Sequence, residues 1–481
     1  MKKLMLFVPV LMLFISCKNE KKEAVQEVDV AQELSVLSPI DNNVLESAVI
    51  YEANIRQYSK DGSFDAFAKD IPQLKELGVK IIWLMPVFPI SETKRKATGG
   101  DFAYKLKDEA ERKKMLGSYY AVSNYTEINP EFGTIEDFRK LVKTAHNYGI
   151  YVILDWVPNH TGWDHEWITT HPDYYTQNDK GEIIDPINPD TGESWGWEDV
   201  ADLNYDNQDL RKEMIADMSY WITEENIDGF RCDVASNVPT DFWAKAIPEL
   251  RAKKDIFMLA EAWQPELMKD SLFDMAYGWE FHHIMNDMAK GKMKLNDLKK
   301  YIDKNKTKYE ADDILMNFVT NHDENSWNGT VKERLGDASK LMTALSYVMP
   351  GMPLIYSGQE YGLDYRLKFF EKDSIPKTKG EAWDLLSALG NLKNSNPALN
   401  GGKQSAALKI LETQNANILF LERTNKKDKI TFIGNFSKEE HAFELPIHGD
   451  YVDFKSNTSV DYQQGANMTL IPWEFKILIS K

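Results

Sequence analysis

Cysteine is nearly missing from this chain: Cys17 and Cys232 are the only two among 481 residues. With Cys17 in an N-terminal leader, no internal disulfide is available, so the fold must rest on a packed core. Net positive charge is missing too. A formal charge of −18 repels phosphate, which excludes nucleic acid as the partner and leaves a neutral one. Low-complexity sequence is confined to the N-terminus, and no His-x-x-x-His pair occurs anywhere. What the chain does have is 43% apolar residues and 12% aromatics, including 13 tryptophans. That is enough to bury one large core plus a smaller one.

The apolar run Leu4–Ile15 follows two lysines and is too short to span a bilayer as a mature helix. It has the length of a signal-peptide core, and its Phe-Ile-Ser-Cys ending resembles a bacterial lipobox with Cys17 as the acylated residue. Residues 1–17 therefore read as a lipoprotein signal peptide and 18–45 as a charged, flexible tether. This places the chain as an exported lipoprotein at the outer membrane, on the cell surface or facing the periplasm. An uncleaved anchor or a plain secretory signal is the alternative.

From residue 49 short apolar runs alternate with longer amphipathic segments. The runs are VIYEANI (49–55), KIIWLMP (80–86), IYVILDWV (150–157), DGFRCDV (228–234), IFMLAEAW (256–263), SLFDMAYGW (271–279), DILMNFVTNHD (313–323) and GMPLIYSG (351–358). Eight strands alternating with helices predict an α/β fold, a (β/α)8 TIM barrel over 46–398, against a doubly wound open sheet as the alternative. Two connections are long: residues 91–120, whose charge run reads as a solvated helix, and about 160–207, a small inserted domain. The second holds Trp163, Trp167, Trp195 and Trp197 just after Trp156, a mixture of packing residues and sugar-stacking platforms. Beyond about 399 short alternating runs without helices predict a C-terminal β-sandwich over 399–481.

The polar residues cluster at strand ends. Asp155 closes the third run and is followed by Asn159 and His160; Arg231 and Asp233 close the fourth; Glu261 closes the fifth; the seventh runs into Asn321, His322 and Asp323. C-terminal strand ends are where barrel enzymes build their sites. A buried structural ion pair would explain Arg231 with Asp233, but not four strands ending alike. Three converging carboxylates suit glycoside cleavage by a retaining mechanism, which needs one ionised nucleophile and one protonated acid. Arg231, two residues from Asp233 on the same strand face, is expected to lower the pKa of Asp233. Glu261, facing Asp233 and Asp323, is expected to be raised and protonated. Asp323 would stabilise the transition state, and His160 and His322 would donate to hydroxyls. Cys232 points the other way, into core. His160, His165 and His171 also invite a metal reading, but Gly162 and Pro172 interrupt any single helix carrying them.

At these residues the chain resembles glycoside hydrolase family 13, the α-amylase family. The matching segments are DWVPNH (155–160), GFRCDVAS (229–236), LAEAW (259–263) and FVTNHDEN (318–325), in the family's order, supported by GVKIIWLMPV (78–87), VADLN (200–204) and GMPLIYSGQE (351–360). The resemblance implies an α-retaining enzyme with Asp233 as nucleophile, Glu261 as acid/base and Asp323 as transition-state stabiliser. It implies that Tyr120, Asp155, His160, Arg231, Trp263 and His322 bind substrate. It also implies a structural calcium, with Asn159 and Asp202 as the matching ligands. Ser236-Asn237 stand where many members carry Lys-His, and VADLN differs from the family's linkage-marking variants. The expected activity is α-1,4-glucan hydrolysis by a lipid-anchored monomer on starch-like or maltooligosaccharide substrates. The alternatives are an exo-acting α-glucosidase, an α-1,6-acting relative, a transglycosylase, and a noncatalytic surface glycan-binding lipoprotein.

Overall fold

The computed structural model describes residues 37–188 and 191–481, so the leader, Cys17 and most of the expected tether lie outside the described residues. Eight parallel strands close into a barrel: β1 Val49–Ala53, β2 Val79–Leu84, β3 Tyr151–Trp156, β4 Gly229–Cys232, β5 Phe257–Ala260, β6 Met275–Tyr277, β7 Ile314–Asn317 and β8 Met352–Tyr356. Each pairs with the next and β8 returns to β1, so the open-sheet alternative is excluded.

Side chains alternate faces along each strand. Ile50, Ile81, Ile153, Leu259, Met316 and Leu354 fill the barrel, while Ile82, Val152, Leu154, Phe230 and Met258 pack outward against the helices. The helices are built for that role. Ile135–Asn147 opens on a Thr134/Asp137 capping box and buries Phe138, Leu141, Val142 and Ala145, one stripe at helical spacing. At the head of β4, Gly229 sits at φ +147°, and a Cβ there would lie 1.9 Å from the Phe257 carbonyl oxygen, so only glycine allows β4 and β5 to approach.

The N-terminal edge differs from the expected tether. Residues Asn42–Ser47 form a helix capped by Asp41, and Ile40 and Leu45 are buried against the lower barrel layer. Charge and poor aromatic content hid this, because two apolar side chains suffice to plug the open lower end of a barrel. Glu46 is buried as well, accepting from the backbone N–H groups of Gly402 and Gln404.

The insertion after β3 holds a short antiparallel pair, His160–Gly162 with Val200–Asp202. Its tryptophans differ in burial. Trp156 and Trp167 are buried, whereas Trp195 is exposed and stacks on Trp197 at 5.6 Å. In the charge run, Glu109–Lys114 is a fully solvated helix. The C-terminal domain pairs a six-stranded antiparallel sheet with a two-stranded one around Phe420, Ile433, Phe443 and Leu470. Its other face joins the barrel's outer core through Leu419, Leu421 and Phe432, and Arg423 donates to the Val348 carbonyl.

Candidate active site

The top layer of the barrel is polar because the inward strand period carries past the last apolar residue. On β3 the inward series Tyr151, Ile153 ends in Asp155; on β4 it ends in Arg231, with Asp233 just beyond the strand. Arg231 is fully buried and organises everything around it. Its Nη1 lies 2.8 Å from both Asp155 Oδ1 and Asp233 Oδ1, and its Nη2 lies 2.8 Å from Glu261 Oε2. The last contact is a charge pairing without hydrogen-bond alignment. Nε donates to the Tyr277 hydroxyl at 3.2 Å, and the guanidinium rests over the Trp83 ring at 4.9 Å.

Glu261 is held from a second side. The backbone N–H of Val234 donates to its Oε2 at 2.8 Å, and Val234 presents that N–H by adopting a left-handed conformation, φ +35° and ψ +46°. A β-branched residue there carries backbone strain immediately after the Asp233 position.

His322 forms the opposite wall. Its Nδ1 faces Glu52 Oε1 at 2.5 Å, and its Nε2 lies 2.7 Å from the Tyr120 hydroxyl and 3.4 Å from Asp323 Oδ2. The Tyr120 O–H has one proton, which goes to Asp155 Oδ2 at 3.1 Å. Nε2 must then donate to Tyr120, while Nδ1 faces a carboxylate, so both ring nitrogens carry protons. The electrostatics agree: although burial opposes charge, Asp323 and Glu52 lift His322 to about 9. His160, buried without a charged partner, is pushed down to about 3 and is neutral.

The carboxylates depart from the sequence-based expectation. Burial lifts Asp233 well above the usual carboxylate range against the pull of Arg231. Although burial also raises Glu261, Arg231 and the Val234 N–H hold it below its ordinary value, with the neighbouring Asp233 adding to the effect. So burial, rather than Arg231, sets the direction at Asp233, while Arg231 and the Val234 N–H set it at Glu261, each opposite to the direction expected from the sequence. The sequence put Arg231 two residues from Asp233. It could not reveal that the β4–β5 pairing brings Glu261, one residue past β5, onto the same guanidinium. Burial raises Asp323 against the pull of His322, and lifts Asp155 to about 6.

Asp233, Glu261, Asp323, Tyr120, His160 and His322 line one cavity of 610 Å³, with Arg231 and Asp155 buried in its floor. Trp263 is not among its lining residues; it is half exposed and walls a neighbouring cavity that shares Asp323. Glu52 and Trp83 were missed by sequence reasoning. For Glu52 a signal existed: a lone carboxylate inside the apolar run VIYEA.

The calcium expectation does not fit what is present. The Asn159 side-chain amide is engaged with His160 Nδ1 at 3.2 Å. Burial lifts the Asp202 carboxyl to about 6, its close neighbours being Thr176 and the like charge of Asp185. One amide and one carboxyl fall short of the six to eight oxygens calcium takes, and among the described residues no group of three acidic, imidazole or thiol side chains is placed for a metal. The histidine trio is likewise dispersed: His165 packs on Trp167 and His171 on Tyr174.

Converging carboxylates and one buried guanidinium, at the C-terminal mouth of a closed (β/α)8 barrel, define a glycoside hydrolase. Residues 49–380 match the family model for the α-amylase catalytic domain, and the chain belongs to that family. It is 24% identical over 427 residues to the α-amylase MalA of Haloarcula japonica, covering 85% of this chain but 58% of that protein's length. An α-glucosidase of Apis mellifera is also 24% identical, over 83% of this chain and 78% of its own. Among solved structures, a noncanonic maltogenic α-amylase from Thermotoga neapolitana superimposes with a TM-score of 0.78 at 27% identity, covering 90% of this chain and 99% of its own.

Proposed function

We propose that this protein hydrolyses α-1,4-glucosidic bonds of starch-like polysaccharide or maltooligosaccharides through a covalent glycosyl-enzyme intermediate. The observation that carries the reading is that Asp233 and Glu261 sit on one guanidinium, each 2.8 Å from a different Arg231 nitrogen. Two carboxyls gathered on one guanidinium suit the retaining arrangement, in which they stand about 5–5.5 Å apart, rather than the wider pair that inversion needs to admit a water.

In this mechanism Asp233 is the nucleophile, Glu261 the acid and then the base, and Asp323 the group that steadies the oxocarbenium-like transition state. One proton between the two carboxyls suffices for this chemistry. A glucosyl ring entering between them turns Asp233 towards the anomeric carbon, where Arg231 Nη1 keeps it ionised. The proton passes to Glu261, which delivers it to the leaving oxygen. His322, as an imidazolium, and neutral His160 donate to ring hydroxyls, and Tyr120 provides the stacking face. Charge neutrality of the ligand suits a chain of net charge −18.

A chromatographic time course on amylose and maltoheptaose tests the reading. An early ladder of intermediate oligosaccharides is expected; glucose alone from the chain end would make the protein an α-glucosidase. Asp233→Asn should lose at least about 10⁴-fold in kcat, and a variant that retains turnover would overturn the assignment of the nucleophile. The leader sequence supports lipid attachment at Cys17, which incorporation of labelled palmitate into the wild type but not Cys17→Ser would test.

A further inference from the structure

Asp233 and Glu261 are each held directly by Arg231, but Asp323 has no such clamp. Its side chain is 38% exposed, and among the described residues its one ion pair is with His322 at 3.4 Å. Where that carboxylate stands is therefore set by the backbone that carries it. The stretch after β7, residues 318–329, is fastened by a single buried side chain. Arg334 donates from Nη2 to the Val319 carbonyl at 2.7 Å and from Nε to the Gly329 carbonyl at 2.9 Å. One guanidinium thus closes both ends of the stretch that bears His322 and Asp323. We propose that Arg334, assisted by Glu324, is a positioning residue for the reaction, fixing the place of Asp323 without touching the sugar. The proposal rests on the glycosidase reading above and adds what holds its third carboxylate.

Local chemistry brings Arg334 to this place. Thr330 opens the helix Val331–Leu335 with a capping box to Glu333, and Arg334 follows, reaching back to Val319 and Gly329. Its Nη1 donates to Asn286 Oδ1 at 2.9 Å, on the helix Trp279–Ala289, and stands 3.4 Å from Glu324 Oε2. From the same helix His282 Nδ1 donates to the Phe318 carbonyl at 3.0 Å, and its Nε2 lies 3.2 Å from Glu324 Oε2. Asn328 Nδ2 donates to the other Glu324 oxygen at 2.9 Å. Although burial raises it, His282 and Arg334 hold the Glu324 carboxyl down to about 2, so it stays ionised.

Between these ties the chain makes a widened turn, Glu324–Asn328, in which the Gly329 N–H donates to the Glu324 carbonyl five residues back at 2.8 Å. Such turns are rare and frequent at functional sites. Asn321 Oδ1 accepts from the Glu324 N–H at 2.8 Å, and the Asn321 carbonyl from the Asn325 N–H at 3.0 Å. The residues on either side of His322 and Asp323 are thereby locked to each other. Neither Arg334 nor His282 lines the catalytic cavity, so any effect they have on the reaction passes through this stretch.

The test is a double-mutant cycle on 4-nitrophenyl α-maltoside. Arg334→Lys keeps the charge but loses the fork that spans two carbonyls, and should lower kcat about 30-fold with KM within about twofold. In an Asp323→Asn background the same change should cost less than about threefold, because the group it places is already gone. Equal losses in the two backgrounds would mean that Arg334 only supports the fold, and would overturn the proposal. Glu324→Gln, which keeps an oxygen for Asn328, repeats the cycle with a loss of about fivefold and serves if Arg334→Lys does not fold. Calorimetry reads the same placement without turnover. The sugar-shaped cation 1-deoxynojirimycin should bind Arg334→Lys about tenfold more weakly than wild type, while maltose changes less than about twofold. Equal weakening of both ligands would refute the positioning role even in an active hydrolase. An inactive wild type that keeps this difference between the ligands would sink the hydrolysis reading alone.

Discussion

Replacing Glu52 by glutamine removes the charge that faces His322 Nδ1 while keeping an oxygen able to accept its proton. His322 is lifted from 6.5 to about 9 despite complete burial, Asp323 and Glu52 being the groups that raise it. That rise corresponds to about 3 kcal/mol, at 1.36 kcal/mol per pH unit. The Asp323 charge, 3.4 Å away, is the largest single cause of the rise, and Glu52, fully buried and 2.5 Å away, adds both its charge and a hydrogen bond. The variant's alkaline limb of kcat/KM should therefore move from near pH 9 to about pH 8 or below. The sign extends to stability. A histidine raised above its unfolded value contributes stability that is complete below about pH 6.5 and lost as pH rises through about 9. In Glu52→Gln that loss is complete about one pH unit earlier. The assay is a pH profile on a chromogenic maltooligosaccharide, paired with urea melts at pH 6, 8 and 9.5. A uniform drop in activity with the alkaline limb unmoved would show that Glu52 merely packs, and would refute the charge-pairing argument.

Three further outcomes follow from other parts of the molecule. Val234→Gly relieves a left-handed β-branched residue and should be neutral or stabilising by up to about 1 kcal/mol, where a drop in Tm of several degrees would contradict the strain. Leu45→Ala should cost about 3 kcal/mol in denaturant unfolding, and a loss near zero would return residues 37–45 to a mere tether. EDTA should leave Tm within about 2 °C, because the donors at Asn159 and Asp202 are too few; a fall of roughly 5 °C or more would mean that other oxygens complete a cage.

Much of the fold was legible because its signals are local. Eight apolar runs separated by amphipathic segments specify strands and helices, and the barrel follows from their number and from polar residues standing at the same end of four of them. The candidate site was legible for the same reason, since Asp233, Glu261 and Asp323 each sit at a recognisable strand end and line one cavity. Glu52 was hidden because its partner, His322, stands 270 residues away and meets it only across the closed barrel. The plug formed by Ile40 and Leu45 was hidden because a six-residue helix has too few positions to display a period.

What the sequence determined by itself is therefore the alternation of elements, the inward face of each strand, and the list of charged residues that the face carries upward. What only the tertiary structure decided is which of those charges touch. Arg231 reaches Glu261 as well as Asp233, Trp263 leaves the catalytic cavity for its neighbour, and burial outweighs the pull of Arg231 at Asp233. Strand periodicity is set by neighbouring residues along the chain. Protonation is set by distances of a few ångströms between strands far apart in sequence, inside a core where little water screens them.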